Sequence, residues 1–373
     1  MKTIVFLTGT RADFGKQKSL IQIINNPDKF NVHLCVTGMH LNEKYGYTVN
    51  EIYESGIVSK NVFCFENDHV SMDKILAKTI LGFSDFINKV KPDLIVVHGD
   101  RVEALAGAIV GSLNNILVAH IEGGEKSGTV DEIIRHSVSK MSHIHFVSNK
   151  EAKNRLIQMG ENDESTFIIG SPDIDLVESD ELPSLQTVRD NYSIDFDKYS
   201  ILLFHPVTTE HDFFKTFAKN IVSSAIKTND NFVVSFPNND NGCEFIFSAY
   251  ERLKNNRNFI IFPSIRFEYF LVLLKNSQYI LGNSSAGIIE APYYGVPTVN
   301  VGSRQNGRTK NNYIIHCDYD EKSILEAINK VPENKYPAEK KFGIKGSNLL
   351  FYKILGNKSF WETAKQKTFN DLI

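Results

Sequence analysis

Residues 93–124 read DLIVVHGDRVEALAGAIVGSLNNILVAHIEGG, and this stretch decides the fold. It begins with an apolar run, turns at a glycine, continues through a segment of helical character and returns to a second apolar run. Short apolar runs separated by helical segments are typical of β-α-β units, which place helices over a parallel sheet. Because the same alternation recurs along most of the chain, the sequence predicts an α/β architecture.

The alternation occurs in two series, one in each half of the chain. It breaks at residues 171–188, SPDIDLVESDELPSLQTV, which we interpret as a linker because this stretch contains two prolines and many acids. We therefore predict two doubly wound, Rossmann-like parallel-sheet domains facing a cleft, at residues 1–172 and 189–345. The amphipathic segment at residues 346–373 is predicted to pack back on the first domain. The predicted strands begin at Thr3, Val32, Asn61, Asp93, Leu117, Ile144, Ile201, Phe232, Phe259, Tyr279 and Pro297.

Composition excludes several classes of protein. The 373-residue chain has a formal net charge of -3 with scattered basic residues, so a nucleic-acid partner is not expected. Its four cysteines lie far apart, as in a cytosolic protein with reduced thiols. No segment reaches the ~20 apolar residues of a membrane span, and the N-terminal apolar run is too short for a signal peptide. We expect a cytoplasmic protein with no membrane partner.

Basic and hydroxyl side chains follow the predicted strands, where doubly wound sheets bind their ligands. Arg11, Arg101 and Arg304 each follow a strand, and arginine forks suit the oxygens of a diphosphate. The stretch GNSSAG, residues 282–287, leads into a predicted helix and suits a phosphate at its N-terminus. The alternative is that Ser284 or Ser285 is a helix N-cap. Neither a dinucleotide fingerprint nor a Walker A motif is present, so the sequence predicts neither NAD nor ATP.

Acidic residues are concentrated after two of the strands. Asp100 and Glu122 follow apolar runs at the same predicted edge, and we expect crowded carboxylates there to raise one another's pKa and to act as general acids or bases. Thr129 and Glu132 fit a capping box, in which case Asp131 could merely complement the helix dipole. Glu125 is expected to be solvated in a loop.

Three histidines and one phenylalanine have competing interpretations. His143 and His145 lie on one face of a strand, but no further ligand has a recognisable spacing, so we do not predict a metal site. His205 follows the first strand of the second half and is the better functional candidate. Phe270 lies on an amphipathic helix, where core packing is the default.

The motifs TGTRADFGK, HGDR, HIEGGE, RHSVSK, HPVTTE, SIRFEYF and GNSSAGI resemble those of the hydrolysing UDP-N-acetylglucosamine 2-epimerases of bacterial sialic acid biosynthesis. The resemblance extends from Thr8 to about His316. It implies the GT-B fold and release of UDP and N-acetylmannosamine without metal or NAD. By resemblance, the catalytic residues are Asp100, Glu122, Asp131 and His205. The implied nucleotide-sugar contacts are Arg11, Arg101, Ser284, Ser285, Glu290 (at the ribose) and Arg304, with Asn238, Ile265 and Phe270 near the uracil.

The chemistry explains why several acids would be needed. The C2 proton of an N-acetylated sugar is too weakly acidic for direct abstraction, so the bond to UDP must break as the proton leaves, giving 2-acetamidoglucal, to which water then adds. Inversion at C2 requires proton transfer on both faces of the sugar, and one carboxylate cannot reach both. We hypothesise that Asp100, Glu122 and Asp131 share these transfers.

Several alternatives share these motifs in whole or in part. A sister enzyme acting on UDP-N,N'-diacetylbacillosamine in legionaminic acid synthesis would share all of them. A GT-B glycosyltransferase would share the nucleotide contacts but has no need for several acids around C2, and a non-catalytic UDP-sugar binding protein has no need for them either. The resemblance also implies a homodimer or homotetramer.

Overall fold

The computed structural model describes residues 1–56, 61–69, 71–308 and 311–371. It divides into two compact units. The first unit contains Met1–Glu125, Asp131–Ser179 and Phe342–Ile373, and the second contains Lys126–Val130 and Asp180–Lys341. Each unit is built on one parallel sheet covered by helices, which confirms the predicted pair of Rossmann-like domains.

The first unit has a seven-stranded sheet in the order β3-β2-β1-β4-β5-β6-β7. Its strands are β1 (Lys2–Thr8), β2 (Phe30–Val36), β3 (Val62–Cys64), β4 (Leu94–His98), β5 (Leu117–Ile121), β6 (Ile144–Val147) and β7 (Thr166–Ile168). Its helices before the second unit are α1 (Arg11–Ile24), α2 (Val49–Glu54), α3 (Met72–Val90), α4 (Val102–Leu113), α5 (Val130–Met141), α6 (Lys150–Gln158) and α7 (Ile174–Val177).

The second unit has a six-stranded sheet in the order β10-β9-β8-β11-β12-β13. Its strands are β8 (Ser200–Leu203), β9 (Phe232–Ser235), β10 (Phe259–Phe262), β11 (Ile280–Gly282), β12 (Thr298–Val301) and β13 (Ile314–Cys317). Its helices are α8 (Leu185–Tyr192), α9 (His211–Thr228), α10 (Cys243–Tyr250), α11 (Phe267–Asn276), α12 (Glu290–Tyr293) and α13 (Glu321–Ile328).

The chain returns to the first unit in two C-terminal helices, α14 (Ser347–Leu355) and α15 (Lys358–Trp361). The Phe351 ring of α14 is fully buried, with its centroid 4.9 Å from that of Phe146 and 6.4 Å from that of Phe6. Since these two rings belong to β6 and β1, α14 covers part of the first sheet. No helix among the described residues combines the length and apolar character needed to cross a lipid bilayer.

Two edge strands were not predicted, β7 in the first unit and β13 in the second. β7 has three residues, of which only Thr166 is buried, and only Ile314 of the four residues in β13 is buried. Burial does not account for the omission, because the edge strand β3 buries no side chain and was predicted. The central strands β4 and β5, in contrast, are buried at every residue, as expected for a parallel sheet covered on both faces.

Strand order reverses once in each sheet. β1 pairs with both β2 and β4, and β8 pairs with both β9 and β11. Ligands of doubly wound sheets bind beyond the carboxyl ends of the strands at such a reversal. In the first unit, the strands at the reversal, β1 and β4, end next to Gly9 and at His98. In the second unit, β8 and β11 end near His205 and next to Asn283.

Candidate functional site

Three ionisable side chains come together at the carboxyl edge of the first sheet. His98 is the last residue of β4, Asp13 lies in the first turn of α1, and Glu122 follows β5. His98 Nδ1 lies 3.1 Å from Asp13 Oδ1, and its Nε2 lies 3.5 Å from Glu122 Oε1. The Gly9 amide donates to Asp13 Oδ2 at 3.1 Å and so orients this carboxylate. The imidazole therefore lies between two acids.

The surroundings of His98 favour its charged form. Burial alone would lower the pKa of the imidazole, but the carboxylates of Glu122 and Asp13 outweigh burial and raise the pKa to about 10. His98 is consequently an imidazolium at neutral pH, which donates from Nδ1 to Asp13 and pairs electrostatically with Glu122 on its Nε2 side.

Glu122 is 3% exposed and is surrounded by donors. Ser171 Oγ donates to its Oε1 at 2.8 Å, and Lys16 Nζ lies 3.5 Å from the same oxygen. Burial raises the pKa of Glu122, but Lys16 and His98 together hold this pKa well below its usual range. Our expectation that crowded acids would raise the pKa is thus wrong for Glu122, because the cations Lys16 and His98, each 3.5 Å from its Oε1, outweigh the effect of burial.

A second buried acid shares the lysine. Asp173 is fully buried, and its Oδ2 lies 3.4 Å from Lys16 Nζ. Lys16 therefore bridges Glu122 and Asp173, while His98 bridges Glu122 and Asp13. These five side chains form an alternating network of acids and cations, in which each charge faces an opposite one.

The backbone of Glu122 adopts the left-handed conformation, with φ at 63°. A non-glycine residue in this region carries about 1 kcal/mol of strain or more. Its amide donates to the Phe146 carbonyl at 3.1 Å, and its own carbonyl accepts from Arg135 Nη1 at 2.8 Å. Strand pairing and a buried guanidinium thus hold the strained turn that directs the carboxylate inward.

Arg135 also connects Glu122 to Asp100. This arginine of α5 is 1% exposed, and its second terminal nitrogen, Nη2, forms an ion pair with the Asp100 carboxylate. Asp131 is half-buried in the first turn of the same helix, four residues before Arg135. Because residues four apart share a helix face, Asp131 projects from the same side of α5 as Arg135. Arg135 therefore contacts Asp100 and the Glu122 backbone, and Asp131 lies on the same helix face.

The remaining acids of this stretch have structural partners. Glu125 is 3% exposed and accepts from Ser148 Oγ at 2.9 Å, so the expectation that it is solvated in a loop is wrong. Its loop folds inward against α6, where Gly124 has φ at 74°. Glu132 Oε1 lies 3.2 Å from His136 Nε2, one turn along α5.

The three predicted phosphate-binding arginines have acceptors within their own units. Arg11 forms an ion pair with Glu51, and Arg101 Nε lies 3.4 Å from Glu103 Oε2 in the first unit. In the second unit, Arg304 Nη1 donates to the Asn283 carbonyl at 3.2 Å. Each guanidinium is thus already oriented at a strand end. Their contact with a diphosphate stays a prediction.

In the second unit, Asn283 fixes the backbone of His205. Its fully buried side-chain oxygen accepts from the His205 amide at 2.7 Å, and its side-chain nitrogen donates to the His205 carbonyl at 2.8 Å. The Asn238 amide donates to His205 Nδ1 at 3.1 Å. A neutral His205 therefore has its proton on Nε2.

The GNSSAG loop differs in part from its predicted structure. The predicted helix near Gly287 is a 3-10 turn over Ser285–Gly287, followed by the four-residue α12. Ser284 accepts from the Ala286 amide at 3.2 Å, so Ser284 is the N-cap and Ser285 is half-buried beside it. Glu290 is buried in the first turn of α12. A side chain at Gly282 would place its Cβ 2.1 Å from the Leu203 carbonyl oxygen, so the close strand approach requires glycine there.

Two residues predicted near the uracil are buried in the second unit. Ile265 precedes α11, and Phe270 lies within it. The Phe270 amide continues the helix by donating to the Arg266 carbonyl at 2.8 Å. Their burial agrees with core packing, and contact with a base stays a prediction.

The other histidines of the first unit serve the scaffold. His120 is buried, with Nε2 2.8 Å from the Gly99 carbonyl and Nδ1 3.0 Å from Ser139 Oγ, and burial lowers its pKa to about 3. His143 accepts from the Val118 amide, and its other nitrogen donates to the Lys365 carbonyl. His145 Nε2 lies 2.9 Å from Glu161 Oε2. Within the described parts of the chain, no three residues of metal-binding type are grouped as ligands.

Several residues of this network were absent from the sequence prediction. Asp13, Lys16, His98 and Arg135 lie inside the motifs TGTRADFGK, HGDR and RHSVSK, so their positions at strand ends could have identified them. Ser171 and Asp173 were assigned to a linker. They follow β7, and recognising this edge strand would have placed them at the same carboxyl edge as Glu122.

Comparisons with known proteins identify the family and the fold. A family model described as UDP-N-acetylglucosamine 2-epimerase matches residues 22–352. A UDP-N-acetylglucosamine 2-epimerase of Neisseria meningitidis serogroup B is 45% identical over the whole of both chains. A hydrolysing UDP-N,N'-diacetylbacillosamine 2-epimerase of Legionella pneumophila is 37% identical over 90% of this chain and 91% of its own. The fold is similar to that in the crystal structure of Methanocaldococcus jannaschii UDP-GlcNAc 2-epimerase in complex with UDP-GlcNAc and UDP. The TM-score is 0.80, over 95% of this chain and 99% of that one, and the two sequences are 23% identical.

Proposed function

The chain belongs to the UDP-N-acetylglucosamine 2-epimerase family, and from this premise we propose that it is a hydrolysing enzyme. It would convert UDP-N-acetylglucosamine and water to N-acetylmannosamine and UDP. N-acetylmannosamine is the amino sugar from which sialic acid is built, so the enzyme would act early in sialic acid biosynthesis. The motif resemblance and the hydrolysing Legionella relative support this choice.

The observation that carries the proposal is the shared anchoring of Asp100 and Glu122 on Arg135. Epimerisation at C2 requires one group that removes a proton and another that delivers one to the opposite face of the sugar. Arg135 pairs with the Asp100 carboxylate and holds the backbone carbonyl of Glu122, and Asp131 lies one helical turn away, so three carboxylates are held near one guanidinium. A glycosyltransferase transfers the sugar at C1 and does not need several proton-transfer groups around C2.

The proposed reaction proceeds in two stages. The C1–O bond to UDP breaks, the electron pair leaves with the diphosphate, and a carboxylate takes the C2 proton, which gives 2-acetamidoglucal. Water then adds its hydroxyl to C1 and a proton arrives at C2 from the opposite face. We propose that Asp100, Glu122 and Asp131 share these proton transfers.

The second unit would bind the nucleotide. We propose that His205 acts with the three acids, since its orientation is fixed through Asn283 and its neutral form donates from Nε2. The leaving diphosphate carries negative charge, which arginines and the GNSSAG backbone suit. The proposed contacts with the UDP-sugar are Arg11, Arg101, Asn238, Ile265, Phe270, Ser284, Ser285, Glu290 and Arg304.

A deuterium experiment tests the proposal directly. The purified protein is incubated in D2O with UDP-N-acetylglucosamine, and the products are followed by NMR. Free N-acetylmannosamine with deuterium at C2, together with UDP, is the expected result. A manno-configured sugar that stays bound to UDP would mean a non-hydrolysing epimerase, and the absence of any turnover would reject the activity. The triple variant Asp100→Asn, Glu122→Gln and Asp131→Asn controls for contaminating enzymes.

The second candidate substrate is UDP-N,N'-diacetylbacillosamine, which the name of the Legionella relative favours. That reaction has the same stages and differs in the groups at C4 and C6 of the sugar. Parallel incubation with each UDP-sugar at equal concentration separates the two candidates by kcat/KM. The higher value identifies the substrate class.

A further inference from the structure

Ser171 is a close partner of the Glu122 carboxylate. Its Oγ donates to Glu122 Oε1 at 2.8 Å, whereas Lys16 Nζ and His98 Nε2 each lie 3.5 Å from that oxygen. Both Ser171 and Glu122 are buried, so water does not compete readily for this hydrogen bond. The direction in which the carboxylate points therefore depends on where the Ser171 hydroxyl lies.

Residues far along the chain determine the position of Ser171. Its amide donates to the Phe342 carbonyl at 2.8 Å, and its carbonyl accepts from Ser347 Oγ at 3.3 Å. Gly170 and Gly343 pass each other closely, because a Cβ on Gly343 would lie 2.7 Å from the Gly170 Cα. The segment that ends at Ser171 thus packs backbone to backbone against the segment that leads into α14.

A carboxylate fastens the two segments together. Asp175 Oδ1 accepts from the amides of Gly346 and Ser347 at 2.6 and 3.0 Å, and its Oδ2 accepts from Asn348 at 2.9 Å. Ser19 Oγ of α1 also donates to Asp175, at 3.0 Å. The amides at the start of a helix have no partner within the helix, so an acid there is strongly bound. The start of α14 is consequently locked to residues 171–175.

We propose that Ser347, at the start of α14, is a positioning residue for Glu122 and acts through the Ser171 hydroxyl. Three contacts support this role: Ser347 to the Ser171 carbonyl, Asp175 to the α14 amides, and Ser171 to Glu122. The C-terminal helix α14 thereby helps to hold the Glu122 carboxylate in position. Its effect on turnover rests on the proposed function, whereas its effect on geometry does not.

Three variants test the proposal: Ser171→Ala, Ser347→Ala and the two combined. Ser171→Ala is expected to lower kcat about tenfold with KM within twofold, because a hydrogen bond to a charged group is lost from a proton-transfer residue and not from nucleotide binding. Ser347→Ala is expected to lower kcat about threefold. The combined variant should match Ser171→Ala, since Ser347 acts only through Ser171. Ser359→Ala, on the exposed surface of α15, is the matched control and should behave as wild type.

Crystal structures of the same variants give a readout independent of activity. In Ser347→Ala, the distance from Ser171 Oγ to Glu122 Oε1 should lengthen beyond about 3.0 Å, the usual upper limit of an O–H···O hydrogen bond. An unchanged distance, or losses in kcat that multiply in the combined variant, would overturn the proposal. If wild type turns over neither UDP-sugar, the proposed function fails, and the crystallographic distance still decides the positioning role.

Discussion

His98 donates from Nδ1 to Asp13 across 3.1 Å, and the imidazole is buried while the carboxylate is partly buried. The pair joins β4 to α1, and Glu122 lies on the other side of the same ring at 3.5 Å. The imidazolium thus balances the buried carboxylate of Glu122 and the partly buried carboxylate of Asp13. Its removal should affect both stability and activity.

We expect His98→Asn to lower the free energy of unfolding by about 3 kcal/mol at pH 7, because loss of one partner leaves buried charge uncompensated. Urea unfolding monitored by circular dichroism measures this change. His136→Asn is a suitable control, since His136 pairs with Glu132 at a half-exposed position and should lose less than about 1 kcal/mol. Equal losses in the two variants would contradict the role assigned to His98.

The same histidine predicts how stability depends on pH. Its folded pKa of about 10 lies above its unfolded value of 6.5, so the folded state binds the proton more tightly. This stabilisation is fully present below pH 6.5 and is lost as the pH rises toward 10. The melting temperature of wild type should therefore fall across this window by more than that of His98→Asn. Parallel slopes for the two proteins would disprove the assignment.

Amide substitutions test the proposed catalytic acids. Asp100→Asn, Glu122→Gln and Asp131→Asn should each lower kcat by roughly 10²–10⁴, the usual contribution of general acid–base catalysis. UDP affinity, measured by calorimetry, should change little because these acids are not assigned to the nucleotide. Glu125→Gln is the matched control, since Glu125 is buried in the same loop but bound to Ser148. Normal turnover in all three variants would reject the assignment.

Arg135→Lys should reduce kcat at least tenfold and destabilise the protein by about 2 kcal/mol, because a single ammonium cannot replace a planar fork that reaches two acceptors. Initial rates and thermal unfolding measure the two effects. Arg155 offers a comparison, since its Nη1 donates to the Gly124 carbonyl at 2.9 Å from a less buried position. Arg155→Lys should retain most of the activity, and a similar loss in both variants would argue against a special role for Arg135.

Both serines of GNSSAG are proposed contacts of the UDP-sugar, but only Ser284 is expected to affect stability as well. Ser284→Ala removes the N-cap and should lower the free energy of unfolding by about 1 kcal/mol. Ser285→Ala should leave stability nearly unchanged and weaken UDP binding about tenfold, as expected for loss of a hydrogen bond to a charged group. Thermal melting and calorimetry separate these outcomes. The reverse pattern would exchange the two roles.

Most of the fold could be predicted because the central strands are buried on both faces. Strands such as β4 and β5 consist almost entirely of apolar residues, so they can be recognised from the sequence without any tertiary information. β7 and β13 escaped prediction although the edge strands β3 and β10, which are also little buried, were predicted. One consequence was functional, since Ser171 and Asp173 follow β7 and were taken for part of a linker.

The sequence by itself determined the α/β class, the two series of strands and the positions of the acids after β4 and β5, because periodicity and strand ends are local properties. Only the tertiary structure decided the charge of the site. Lys16, His98 and Ser171 reach Glu122 from three separate parts of the chain, and the cations Lys16 and His98 hold its pKa low where the sequence suggested a raised value. A pKa depends on burial and on charges a few ångströms away in space, and the linear order of residues does not specify either.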